Sequence, residues 1–164
     1  MTIYIQNMSE SIEVFTDGSC MKKKYGNYCG YGIYFPNGEI PNISRKFTHS
    51  PLTNQRAELY AIYVALILIK KVGQFDNVVI YSDSEYSIKC LTVWIHTWNA
   101  NKWKTAKNDP VKNQDIIKPL YDILRKFKHI KFVHVRSHTG NTDVLSVGNE
   151  MADKLATQGS MKNK

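Results

Sequence analysis

The chain has 164 residues, 43% of them hydrophobic, and carries 22 Lys and Arg against 14 Asp and Glu, a net charge of +8. That length fits one domain with a substantial core, and the charge suggests a phosphate-bearing partner or an anionic surface, with general solubility as the plain alternative. A leader peptide and a membrane span are not expected: Met1 to Ser11 lacks a basic region followed by an apolar core, and the longest apolar stretch, Ala57 to Ile69, contains Glu58 and is too short. Cys20, Cys29 and Cys90 have neither metal-ligand spacing nor a paired framework, and are expected as reduced thiols in an intracellular protein, with cytoplasm and nucleus both open.

In chain order, Ile12 to Asp17 is rich in β-formers, and Gly30 to Pro36 and Ile43 to Thr48 follow across the turn-forming Pro36-Asn37-Gly38, which predicts a three-stranded antiparallel meander. A helix follows over about Asn54 to Val72, with Leu59, Ile62, Leu66 and Ile69 at helical spacing. Val78-Val79-Ile80-Tyr81 suits a strand buried on both faces. Lysine- and tryptophan-rich helical segments fill Ser84 to Lys128, then a fifth strand spans Lys131 to Ser137 and a last helix about Gly148 to Thr157. The expected fold class is α/β, a five-stranded mixed sheet flanked by helices, with residues 1–11 as a short extension, 12–158 as one domain and 159–164 as a tail.

Four acids stand at the ends of four of these elements: Asp17, Glu58, Asp83 and Asp153. Each has a structural alternative. Asp17 before Gly18 could open a turn, Asp83 sits in Ser82-Asp83-Ser84-Glu85, a possible capping box, and Asp153 could be a solvated helix residue. Glu58 is harder to dismiss, because Ile62 and Ala65 place it on or beside the apolar stripe, where a carboxylate must be protonated, paired or metal-bound. If folding gathers the four, their repulsion is relieved by protons or cations. A basic chain with an acidic pocket then reads as a metal-dependent enzyme acting on a polyanion.

The ordered set Thr16-Asp17-Gly18-Ser19, Thr53-Asn54-Gln55-Arg56-Ala57-Glu58-Leu59, Ser82-Asp83-Ser84, His138-Thr139-Gly140 and Gly148-Asn149-Glu150-Met151-Ala152-Asp153 resembles type 1 ribonuclease H over Ile12 to Thr157. The resemblance implies the ribonuclease H-like fold and an endonuclease that cuts the RNA strand of an RNA/DNA hybrid, leaving a 5′-phosphate and a 3′-hydroxyl. It implies Asp17, Glu58, Asp83 and Asp153 as ligands of two Mg2+ ions, with Mn2+ as a substitute, and His138 as a mobile auxiliary group in proton transfer or product release. Hard oxygen ligands suit magnesium independently, and two ions roughly 4 Å apart can serve the attacking and leaving oxygens.

The resemblance further implies that Asn54 and Gln55 recognise the ribose 2′-hydroxyl, although Thr53 or Asn54 could equally cap the helix. Thr53 and Asn113 match positions that hold a DNA phosphate. From Trp94 to Lys107 lysines interleave with aromatics, as in the family's basic protrusion, so Tyr86, Trp94, Trp98 and Lys104 are candidates for the DNA strand and Trp103 for anchoring the protrusion. Three features depart from the family: Met21-Lys22-Lys23-Lys24-Tyr25-Gly26-Asn27 replaces a glycine-rich, asparagine-bearing turn, Pro51 replaces a phosphate-binding arginine, and Asn141 to Val147 lengthens the loop after His138, where Asp143 could add a contact. The expected working state is a monomer whose activity falls steeply with salt. A catalytically silent hybrid-binding module and a junction resolvase or transposase of the same superfold are the alternatives.

Overall fold

A computed structural model describes residues 10–163 and folds them into a five-stranded sheet with helices on both faces. Strands β1 (Glu10–Lys23), β2 (Gly26–Tyr34) and β3 (Ile43–Phe47) form the expected antiparallel meander, and β4 (Phe75–Ser82) and β5 (His129–His134) add in parallel, in the order β3-β2-β1-β4-β5. Most of the expected extension, 1–9, lies outside the described residues, while Glu10 and Ser11 already belong to β1. Among the described residues no helix is long and apolar enough to cross a membrane.

β1 does not end at Asp17. Asp17 pairs with Gly32 and Gly18 with Tyr31, so the Asp-Gly step runs inside the strand and opens no turn. Gly18 is required there for another reason: a Cβ on it would stand 2.5 Å from the Glu58 backbone nitrogen, so only a bare strand lets the next helix approach.

That helix, α1, spans Asn54–Val72 as expected. The Thr53 hydroxyl caps it, accepting from the Arg56 N–H at 3.2 Å, and Gly73 closes it in the left-handed conformation with φ 83°. Leu59, Ile62, Leu66 and Ile69 are fully buried, each contributing roughly 1.5–3 kcal/mol by leaving water. After β4 come α2 (Glu85–Lys89), a π-helical turn over Cys90–Trp94, α3 (Ile95–Ala100), an irregular segment and α4 (Gln114–Leu124). Ser84 caps α2 by accepting from the Ser87 N–H at 3.1 Å, so the Ser82/Glu85 capping box does not form and Asp83 stays outside the cap.

The last helix, α5, spans Val144–Ser160 and begins earlier than its apolar pattern suggests. Asp143 starts it, its carboxylate accepting from the Ser146 N–H at 3.2 Å, so the contact available to Asp143 is with its own helix. The supposed insertion, Asn141 to Val147, is therefore half helical. α5 lies close on β2, where a Cβ at Gly32 would meet the Ala152 carbonyl oxygen at 2.4 Å. That close approach brings Asp153 down beside the sheet.

The cysteine expectation needs correction. Cys20 and Cys29 are directly opposed in the β1–β2 ladder and form a disulfide, leaving buried Cys90 as the free thiol. A separation of nine residues carries no pairing signal by itself; only the hairpin register sets the two side chains face to face.

Candidate active site

The parallel ladder between β1 and β4 closes at Phe15 opposite Tyr81, whose rings stack with centroids 4.5 Å apart. Two residues further along each chain stand Asp17 and Asp83, so the register alone sets them side by side. Glu58 reaches in from the first turns of α1, across the bare Gly18. One carboxylate oxygen from each of Asp17, Glu58 and Asp83 falls within 4.8 Å of the others. Asp153, on α5, comes near enough that its charge and side chain help to raise the Asp17 carboxyl.

The electrostatics follow from this crowding. Asp17 is only 4% exposed, and burial, followed by the charges of Asp83, Glu58 and Asp153, pushes its carboxyl up to about 10. Glu58 is pushed up to about 7, chiefly by burial, with a Ser84 hydrogen bond opposing and the Asp83 charge reinforcing the shift. Buried acids held this close keep protons or accept cations. Carboxylate oxygens are the donors that a hard divalent ion prefers, so the residues fit such an ion.

Several neighbours orient the carboxylates. The Gly18 N–H donates to Asp17 Oδ1 at 2.9 Å, and Asn149 Nδ2 donates to Asp83 Oδ2 at 3.3 Å. Asn149 is 3% exposed and its Oδ1 has no partner among the described residues. In the sequence the one signal for Asn149 is its spacing, one helical turn before Asp153 on the same face of α5. Asn149→Ala is expected to lower kcat by about tenfold, since partners that orient metal ligands are typically worth that much, with little change in affinity for duplex. Steady-state kinetics on a hybrid substrate check this; an unchanged kcat removes the positioning role.

The acids open into a cleft of about 300 Å³ that Asn54 and His138 also line. His138 is exposed and adopts a left-handed backbone with φ 52°. At the α1 end, buried Arg56 forms a bidentate pair with Asp115 at 2.7 Å and donates to the carbonyls of His49 and Ser50. Arg56 thereby holds the loop that presents Thr53, Asn54 and Gln55, a role not read from the sequence. Pro51 in that loop follows a cis peptide bond.

The other expected contact residues form a second group. Asn113 accepts from Arg56 Nη1 at 3.3 Å and donates to the Tyr86 hydroxyl at 3.0 Å, so both ends of its amide have protein partners. Tyr86, Trp94 and Trp98 make a row, with ring centroids 6.3 and 5.8 Å apart in turn. Trp103 packs edge-on against Tyr121 at 6.2 Å, which anchors the irregular segment as expected. Lys104 is exposed on that segment, bridged through its backbone to Pro110, and is not part of the carboxylate cleft. Asp83 and Tyr86 sit on either side of the start of α2, which links the aromatic row to the acids.

Comparison with known proteins gives this site its context. The family model described as RNase H matches residues 9–161. A probable ribonuclease H of Acanthamoeba polyphaga mimivirus is 39% identical over 137 residues, covering 81% of this chain and 58% of the relative. A ribonuclease H of Salmonella newport is 37% identical over 155 residues, covering 94% of this chain and 92% of the relative. Among solved structures, the RNase H domain of PFV superposes with a TM-score of 0.75 at 28% identity, covering 91% of this chain and 93% of that one. The chain thus spans little more than half of the viral relative and nearly all of the bacterial one.

Proposed function

The chain belongs to the type 1 ribonuclease H family, and from that premise we propose that it hydrolyses the RNA strand of RNA/DNA hybrids as a divalent-metal-dependent endonuclease, leaving 5′-phosphate and 3′-hydroxyl ends. The observation that carries this reading is the meeting of Asp17, Glu58 and Asp83 within 4.8 Å on a chain of net charge +8. An acidic cage on a basic protein suits a phosphodiester substrate brought in by charge.

In this reading Asp17, Glu58, Asp83 and Asp153 hold two divalent cations, Mg2+ or its substitute Mn2+. Such ions, when bound, supply an activated water and neutralise the leaving oxygen of an in-line displacement. The chain's own groups do the rest. Asn149 and the Gly18 N–H hold the carboxylates of Asp83 and Asp17 in place. Asn54 and Gln55 test the strand at the cut for a ribose 2′-hydroxyl. Tyr86, Trp94 and Trp98 offer ring faces to deoxyribose, and Lys104 meets phosphate on the DNA strand. Held by Arg56 and Tyr86, Asn113 offers the second hydrogen of its amide nitrogen to a DNA phosphate. Thr53 keeps its cap and offers its backbone to phosphate. All these groups come from one chain, so the proposed working unit is a monomer.

His138, on an exposed loop at the mouth of the cleft, exchanges a proton with product or helps release it. His138→Ala is expected to slow turnover by about ten- to a hundredfold without abolishing it, as for an auxiliary acid–base group; complete loss in a steady-state assay makes it essential instead. The reading as a whole is tested by offering labelled RNA/DNA hybrid, duplex RNA, duplex DNA and single-stranded RNA with Mg2+, Mn2+ or chelator. Cleavage of the hybrid alone, dependent on metal, is the expected outcome. Cleavage of duplex DNA, or activity that survives chelation, overturns it.

A further inference from the structure

β1 and β2 run on past the carboxylates to a two-residue tip, Lys24-Tyr25, closed by the pairing of Lys23 with Gly26. By strand alternation Lys23 lies on the same face as Asp17, about 20 Å along the strand. Lys22, Lys23 and Lys24 are exposed, and Tyr25 is 86% exposed. Behind the tip, Lys23 and Lys46 both rest on the Tyr28 ring, their Nζ atoms 4.8 and 5.0 Å from its centroid, and Lys46 also donates to the Lys162 carbonyl. None of the ion pairs among the described residues involves any of these lysines. From Gly18 to Gln55 the sequence sets Lys22, Lys23, Lys24, Arg45 and Lys46 against one acid, Glu39. Like charges gathered on one ring without a carboxylate leave a field that an external anion completes.

The tip is also tied to the cleft. Asn27 Nδ2 donates to the Leu52 carbonyl at 3.0 Å, fastening the hairpin to the loop before Thr53 and Asn54. The Cys20–Cys29 disulfide joins the two arms between Asp17 and the tip. A cross-linked hairpin fastened to the substrate-reading loop holds its charges at a set distance from the acids.

We propose that Lys23 and Lys24, with Lys22 on the opposite face of the same strand end, form a further substrate-binding site at the hairpin tip that takes backbone phosphates of the duplex about 20 Å from the scissile one. It lies on the β2–β3 side of the cleft, whereas Trp94, Trp98 and Lys104 follow β4. Lysine ammonium groups are point charges, and phosphate contacts carry no information about sugar or base, so the tip adds affinity without choosing RNA over DNA. The site rests on the hybrid-cleavage reading only for the identity of the natural duplex.

The test compares the Lys22→Gln/Lys23→Gln/Lys24→Gln variant with a charge-matched control, Lys71→Gln/Lys126→Gln/Lys128→Gln, which removes exposed lysines elsewhere on the surface. Binding of labelled hybrid, duplex DNA and duplex RNA is read by anisotropy across a salt series without divalent metal, and KM and kcat are read on the hybrid with Mg2+. For the tip variant affinity is expected to fall about tenfold near 0.1 M salt for all three duplexes, with the log–log salt slope shallower by about 2 to 3. The rise in hybrid KM follows the loss of affinity, and arginine at the three positions restores both. Unchanged affinity and slope overturn the site, as does an equal loss in the control; a loss confined to the hybrid overturns its indifference to the sugar. A wild-type protein that cuts no hybrid sinks the cleavage reading, while the duplex-binding measurements still decide the tip.

Discussion

Asp17→Asn is expected to lower kcat on a hybrid by at least about a thousandfold while leaving affinity for the duplex within about threefold, the pattern of an interaction needed only in the chemical step. Asparagine keeps the shape and can still accept from the Gly18 N–H, but it cannot supply an anionic oxygen to a cation. The same change is expected to stabilise the metal-free protein. The carboxyl of Asp17 sits at about 10 in the folded chain against 3.8 as its ordinary value. Between those limits the folded state holds a proton that the unfolded state has released, so stability is greatest below the lower value and falls as pH rises towards the upper one. Removing the acid removes that slope, so the variant's gain is larger at pH 8 than at pH 5. Denaturant titration of both proteins at pH 5 and pH 8, in chelator, reads the effect. An Asp17→Asn protein that still cuts at a tenth of the wild-type rate has no need of Asp17 as a ligand.

The second large effect is a pH-dependent grip on divalent metal. In the metal-free chain Asp17 holds its proton until about 10 and Glu58 until about 7, so at pH 5 a cation must displace both. At pH 8 Glu58 has already ionised and only the Asp17 proton remains to be expelled. Apparent Mg2+ affinity is therefore expected to be at least about a hundredfold stronger at pH 8 than at pH 5, the factor from Glu58 alone, with protons released on binding and the Asp17 proton, easier to expel at higher pH, adding to it. Calorimetry in buffers of different ionisation enthalpy counts those protons, and the thermal midpoint at fixed Mg2+ should rise at pH 8 and barely move at pH 5. Affinity that is the same at both values shows that the carboxylates are already ionised, and the crowded-acid account of the site falls. The two results are linked: the repulsion that destabilises the empty cage is what the cation relieves.

Much of this site was legible before any fold was known. Glu58 on an apolar helix face was a carboxylate without a solvent excuse, and the mixed sheet followed from a run of β-formers, a turn and a buried apolar strand. Asn149 and Arg56 were not legible in the same way, because a polar residue inside a helix is usually solvated and nothing local says which carboxylate it meets. The disulfide failed for a related reason. Cysteine spacing is informative where the fold is small and stapled, whereas here the hairpin register decides the pair. The helix start at Asp143 is not legible in the sequence because capping is a short polar signal and Gly148 interrupts the apolar pattern.

Sequence by itself determined the chemistry available: which groups are acidic, that one of them rides a buried helix, that the chain is basic, and the order of stretches that mark the family. Those properties are local or additive, so they survive without coordinates. The tertiary structure decided what no local pattern encodes, namely that Asp17 and Asp83 share a register, that bare Gly18 lets Glu58 reach them, and that α5 lies close enough on β2 to deliver Asp153 and Asn149. Long-range pairing creates proximity, and proximity creates the shifted acids from which the proposed metal site follows.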